Sequence, residues 1–322
     1  FELPTLTGEG PFARGRRLRP FVARDGGRIV ARALAIVDGH YQRHWQEPLG
    51  HVSQFEALPG SGPATTLLLD AACEWLAGEG ATAARAGFGL LDFPFTVDAY
   101  EDLPPSWLRQ NPAHYHTLLK DAGFETEQGW VDYKVAVRPE LTERWESAGE
   151  SVRRAGIAIV PMSTVPLAPR MKRLAVLWNQ AFARHFGFIP ATEAELTEIF
   201  TCFEATGIND TSLFALRGDD VVGALWYIGD SSAFATVAPG RTLAAAEQLN
   251  TLAIAVDAPA RGQGVNLAMA GHAFLGSVGH GATHLSYTLV LDDNWPSRRT
   301  AEKLGASVCA SYVTYRRRFA RR

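Results

Sequence analysis

Cysteine and methionine are scarce in this chain, with three of each among 322 residues. Cys73, Cys202 and Cys309 are odd in number, far apart and set in apolar runs. That pattern argues against a disulfide framework and predicts reduced, buried thiols of the cytosolic kind. Long hydrophobic runs are missing too. No stretch approaches the roughly 20 apolar residues of a membrane helix, and the opening FELPTLTGEG carries no secretory pattern. A cytoplasmic location and no membrane partner are therefore expected. The start at Phe1 rather than Met leaves room for a short missing leader. Excess charge of one sign is also lacking. A formal net charge of −3 argues against wholesale nucleic-acid binding, and the basic end RRRFARR reads as a solvated terminus. Among the histidines, His114 and His116 stand two apart and would diverge on a helix, and no pair has metal-ligand spacing, so no metal is expected. Lysine is thinly used beside arginine, a bias with no chemical meaning of its own.

What is present suits a soluble globular protein of α/β (α+β) class: 47% hydrophobic and 20% charged residues, with length enough for two domains. RPFVARDGGRIVARALAIV (19–37) reads as two strands joined through Asp25-Gly26-Gly27. A strand (GHVSQFEAL), a helix (ATTLLLDAACEWLAGEG), a strand (ATAARAGFG), a helix opened by Asn111-Pro112 and a strand (GWVDYKVAV) follow. The second half repeats this order, with two helices added in front. The first of those is APRMKRLAVLWNQAFARHFG, and the second opens at Thr192 with Glu195 three residues on, a capping box. The reading is a first domain over 1–140, a linker helix over 141–155, and a second domain over 156–322, related by internal duplication.

The stretch VDAPARGQGVNLAMAGHA (256–273) sets a strand, a glycine-rich turn and a helix in immediate succession. Amides at a helix start lack intrahelical partners, and the helix dipole adds positive potential there, so the turn suits phosphate. Gly262 and Gly264 clear side chains from the approach, and Arg261 adds a charge-assisted contact. The turn is neither a GxxxxGK[ST] loop nor a GxGxxG fingerprint; a plain strand-to-helix turn is the alternative. Some thirty residues later, LDDNWPSRRTAEKLGA places Asn294 before a helix with Pro296 in its first turn, ending at Leu304-Gly305.

Taken together, residues 249–306 resemble the acyl-CoA-binding core of the GNAT superfamily of N-acyltransferases. That family's Gln/Arg-x-x-Gly-x-Gly/Ala motif matches as Arg261, Gly264 and, imperfectly, Asn266. Its Asn-x-x-Ala/Ser and Leu-Gly-Phe patterns match as Asn294, Ser297 and Leu304-Gly305, with Ala306 in place of the aromatic. The likeness extends over 155–320 and is fainter over 15–140, which is read as a degenerate copy whose corresponding turn, LPGSGPATT, lacks the arginine and carries Pro63. The resemblance implies two domains of the same fold, each a mixed, mostly antiparallel sheet flanked by helices. It implies the CoA pyrophosphate on the backbone of Arg261, Gly262, Gln263, Gly264, Val265 and Asn266. The pantetheine arm would run along the strand containing Ile254, Ala255 and Val256, in a gap before strand 284–290, with Asn294 and Ser297 at its far end.

Acyl transfer to an amine needs a base, an oxyanion donor and an acid for the leaving thiol. A backbone amide near Ala255 or Val256 is the expected oxyanion donor. The tyrosine that many members place seven residues after the asparagine is Ala301 here. Tyr287 is the candidate replacement, with Tyr312 and Tyr315 behind it; Glu247 is the first candidate base and Asp257 the second. Trp226 and Tyr227 are equally well explained as packing residues, and His272 is better explained as a core or surface residue than as a catalytic one. The expected activity is direct acetyl transfer from acetyl-CoA to the primary amine of a small molecule, with a homodimer among the expected assemblies. Transfer of a longer acyl chain from CoA or an acyl carrier protein, and a non-catalytic acyl-CoA binder, are the other readings.

Overall fold

The computed structural model describes residues 2–100, 110–202, 204, 208–227, 251–279 and 284–320. The chain forms two compact units. One comprises Phe1–Trp130, Phe186–Pro190 and Ala310–Arg322; the other comprises Val131–His185 and Ala191–Cys309. Among the described residues no helix is long and apolar enough to cross a membrane.

After a short helix α1 (Glu2–Leu6), the first copy runs β1 (Arg16–Asp25), β2 (Arg28–Asp38), α2 (Gly39–Trp45), β3 (Leu49–Ala57), α3 (Gly62–Gly78), β4 (Ala83–Ala86), the two-residue β5 (Phe95–Thr96), α4 (His114–Asp121) and β6 (Glu125–Ala136). Asp25 pairs with Arg28, so Gly26-Gly27 is a two-residue hairpin turn, as the Asp-Gly-Gly signal predicts. Strand β3 pairs antiparallel with β2 and parallel with β4, and α3 lays Leu69, Ala72 and Leu76 on this sheet against Val52 and Phe55.

The second copy begins with α5 (Pro139–Arg154), β7 (Ala158–Pro161), α6 (Ala168–Phe182), α7 (Glu193–Cys202) and α8 (Ile208–Thr211). The repeated order then follows as β8 (Leu213–Arg217), β9 (Asp220–Tyr227), β10 (Thr251–Val256), α9 (Val265–Gly279), β11 (His284–Leu291), α10 (Trp295–Lys303) and β12 (Ser307–Arg318). The capping box at α7 forms as expected: the Glu195 amide donates to Thr192 Oγ1 at 3.1 Å, and the Thr192 amide donates to Glu195 Oε2 at 2.7 Å.

Helices cover opposite faces of the sheet in the second unit, and alternation along β9 shows it. Tyr227 points to α9, where its hydroxyl bonds Ser277 and its ring meets Phe274, while its neighbour Trp226 stacks on Trp178 of α6 and Phe200 of α7.

Three expectations are corrected here. The copies exchange their last strands: Tyr315–Arg318 of β12 pair antiparallel with Ala86–Ala83 of β4, and β6 lies beside β11. Hence 310–322 belong to the first unit and 131–138 to the second, a pairing choice that chain order does not encode. The helix read as a linker, α5, instead packs on α9 within the second unit. Of the cysteines only Cys73 is buried; Cys202 and Cys309 are exposed, and none of the three is in a disulfide.

Candidate active site

Among the described residues, parallel pairing of β10 with β11 is confined to Thr251 and Tyr287. Beyond that point the strands part. A cavity of 430 Å³ opens between them, lined by Ile254 and Val256 on one side and Tyr287 to Val290 on the other. Leu289 sits at φ 52°, a backbone region that branched apolar residues avoid, and its amide donates at 2.7 Å to the buried carboxylate of Asp132 on β6. A residue in that conformation kinks the strand.

The ladder to β9 fixes which amides face the gap. The Asp257 amide donates to the Val222 carbonyl at 2.9 Å, and Ala255 and Val256 lie opposite Ala224 and Gly223. Antiparallel alternation then turns the Ala255 N–H toward β9 and those of Ile254 and Val256 toward the gap. Of the two residues expected to offer an oxyanion donor, Val256 turns its amide to the gap, as does Ile254, whereas the Ala255 amide faces away and its side chain is wholly buried.

Arg261, Gly262, Val265 and Asn266, which follow the end of β10, line the cavity, as do Asn294 and Ser297, which follow the end of β11. Gly262 and Gly264 have φ 76° and 79° with open space where a Cβ would stand, so the turn brings bare backbone to the helix start. Arg261 Nε donates to the Val256 carbonyl at 3.1 Å, tying the turn to the strand end. Asn294 caps α10, its Oδ1 accepting from the Ser297 amide at 3.4 Å. Gln263 turns outward, donating to the Pro259 carbonyl and accepting from Arg217, and neither it nor Gly264 lines the cavity.

Of the candidate catalytic groups, Tyr287 borders the gap and Asp257 does not. Asp257 is held by Arg173 through an ion pair and accepts from the Ala258 amide, so it braces the turn after β10. Tyr312 and Tyr315 are buried in the first unit, Tyr315 bonding His116 at 2.7 Å. Glu247 and the loop 229–246 lie outside the described residues. His185, just past α6, lines the cavity beside Phe182; only its place after an amphipathic helix, in ARHFG, hinted at it. Among the described residues no group of three or more His, Cys, Asp or Glu side chains converges as a metal site.

A second cavity of 400 Å³ shares Ile254, Asn266, Tyr287 and Ser297 with the first and extends between α5, α9 and α10. Its walls are mainly apolar and include Trp145, Phe274, Leu285 and Ala301. Nothing in the sequence pointed to it, because its wall on α5 comes from a helix that looked like a connector.

In the first unit the corresponding gap is filled by the chain itself. Gln54 on β3 has φ 53°, and Ser53 and Gln54 donate to the carbonyls of Leu90 and Leu91. The Gly87 amide donates to Asp92 at 3.1 Å, and a Cβ on Gly89 would lie 2.7 Å from the His51 ring. The segment 87–92 thus takes the place where the second unit is open.

This arrangement defines the chain as a tandem protein of the GNAT fold, the first copy degenerate. No family model matches it. Among solved structures it is similar to a tandem GNAT protein from the clavulanic acid biosynthesis pathway, with TM-score 0.57 and 13% identity over all of this chain and 88% of that one. It is similar also to a GCN5-related N-acetyltransferase from Sphaerobacter thermophilus, with TM-score 0.52 and 15% identity over 92% of this chain and 79% of that one. In sequence it is 24% identical over 194 residues to a bacterial ceramide synthase of Caulobacter vibrioides, the match covering 59% of this chain and 50% of that relative.

Proposed function

We propose that the second unit is a CoA-dependent N-acyltransferase acting by direct transfer. One observation carries this reading: β10 and β11 part beside a glycine turn that opens a helix, leaving strand amides aimed into the gap. The amides of the turn from Arg261 to Asn266 would take the pyrophosphate, and those of Ile254 and Val256 would take the pantetheine and the developing oxyanion. Arg261 fits the phosphate role by charge. Asn294 and Ser297 would meet the far end of the arm.

The acceptor would approach from the α6 face, where His185 and Phe182 stand. His185 is the proposed base, with Glu247 the alternative. An amine that has lost one proton attacks the thioester carbonyl; the C–N bond forms and the carbonyl electrons move to oxygen. Collapse breaks the C–S bond, the ammonium proton passes to the base, and the thiolate takes a proton from Tyr287. Acetyl-CoA and the primary amine of a small molecule are the proposed substrates at their simplest. The likeness to a ceramide synthase supports amide formation, because a ceramide is a fatty amide, and it favours a second reading in which the acyl group is long. Calorimetry with CoA and acetyl-CoA tests the core of the proposal; absence of binding by either would overturn it.

A further inference from the structure

We propose that the 400 Å³ cavity between α5, α9 and α10 seats the hydrocarbon chain of a medium- to long-chain acyl thioester. This rests on the CoA reading of the adjoining cleft and names the acyl donor for it. The first ground is continuity. Ile254, Asn266, Tyr287 and Ser297 wall both cavities, so a chain leaving a thioester in the gap passes into the second cavity without crossing protein. The second is chemistry. Beyond that shared mouth the walls are mainly apolar, with Trp145, Phe274, Leu285, Leu267 and Leu304 outnumbering the polar Arg144 and Thr300, a lining that suits methylenes.

The third ground is which residues are small. Ala301 and Ala306 stand where the GNAT pattern carries a tyrosine and an aromatic, and both line this cavity. A ring at either position would extend from its Cβ into the space. Loss of the customary acid and opening of the cavity are thus one change at Ala301. The fourth is sidedness. Ile254 pairs with Leu225, which packs in the α9 core, whereas His185 and Phe182 border the gap from α6. A chain on the α9 face leaves the α6 face free for the amine.

The test measures binding of CoA, acetyl-, octanoyl- and dodecanoyl-CoA to the full chain, below the micellar range. Dodecanoyl-CoA is expected to bind at least a hundredfold tighter than acetyl-CoA, well under the ceiling of about fourfold per methylene because the cavity is open on one side. In Ala270→Phe and Ala306→Phe, checked for folding by circular dichroism, that ratio is expected to fall at least tenfold. A dodecanoyl chain with a terminal diazirine should crosslink within 135–145 or 267–274, a readout that needs no variant. CoA binding with no gain from chain length overturns the chain site and leaves the CoA reading standing. That result is also expected if the cavity holds the tail of a lipid-like amine instead. A gain that survives both variants, or crosslinks elsewhere, overturns it as well. Failure of every CoA compound to bind overturns the CoA reading and this proposal together.

Discussion

A Cβ added to Gly271 would stand 2.8 Å from the Cβ of Trp145, nearer than side-chain carbons pack. Helix α5 crosses α9 at this point because α9 presents bare backbone to it. The indole this contact positions is 2% exposed and meets Phe274 at 5.3 Å between ring centroids. One glycine therefore sets how closely the wall of the apolar cavity approaches the sheet. Gly271→Val is expected to destabilise the protein by about 1–3 kcal/mol, the usual cost of overpacking a tight contact. Urea unfolding measures it; an unchanged midpoint would show that α5 is free to shift.

Gly264 tests the turn before α9 as the proposed pyrophosphate site. At φ 79° with open space around it, the obstacle to a side chain is backbone conformation rather than collision, and β-branched residues resist that region most. Gly264→Val is expected to abolish CoA binding by calorimetry, while Asn266→Gly leaves it within a fewfold. A loss of tenfold or more in Asn266→Gly would make its side chain a contact rather than a bystander.

His185 and Tyr287 are the titratable pair that the gap brings together among the described residues. Removing a general base lowers turnover by about 10²–10⁴, so His185→Gln should lose kcat on that scale with KM for the thioester little altered. Tyr287→Phe should slow the reaction less with good thiol leaving groups than with poor ones. Wild-type turnover in His185→Gln would return the role of base to Glu247.

His51 in the first unit supplies a pH test independent of function. Its ring is buried, neither nitrogen has a partner among the described residues, and burial first, then the Arg85 charge, push its pKa down to about 4. An unfolded histidine titrates near 6.5, so below that pH the unfolded chain binds a proton that the folded ring refuses. The contribution is absent above pH 6.5 and costs stability progressively down to about pH 4, reaching about 3 kcal/mol. Thermal melts should show His51→Leu losing less Tm than wild type between pH 7 and 4. Parallel curves would mean that the ring protonates freely in the folded state.

Local features were legible because local residues determine them. Asp25-Gly26-Gly27 has no good alternative to a tight hairpin, Thr192 and Glu195 satisfy each other's amides, and Asn294 caps the helix behind it. The order of elements, repeated in both halves, pointed to duplication, and the resemblance of residues 249–306 to the GNAT acyl-CoA-binding core implied the fold. Less visible were features that depend on which surfaces meet. The polar periodicity of 139–154 gives no sign that Leu141 and Trp145 close a cavity, and the apolar setting of Cys309 does not reveal that the start of its strand is exposed.

By itself the sequence determined the punctuation, the duplicated order and the glycine turn that opens α9, since each follows from backbone conformations available to a few neighbouring residues. Only the tertiary structure decided that β6 and β12 change places, that segment 87–92 closes one gap while the other stays open, and that Ala301 and Ala306 face a shared apolar space. Those outcomes depend on long-range strand pairing and on volumes left between elements far apart in the chain. No window of sequence contains either.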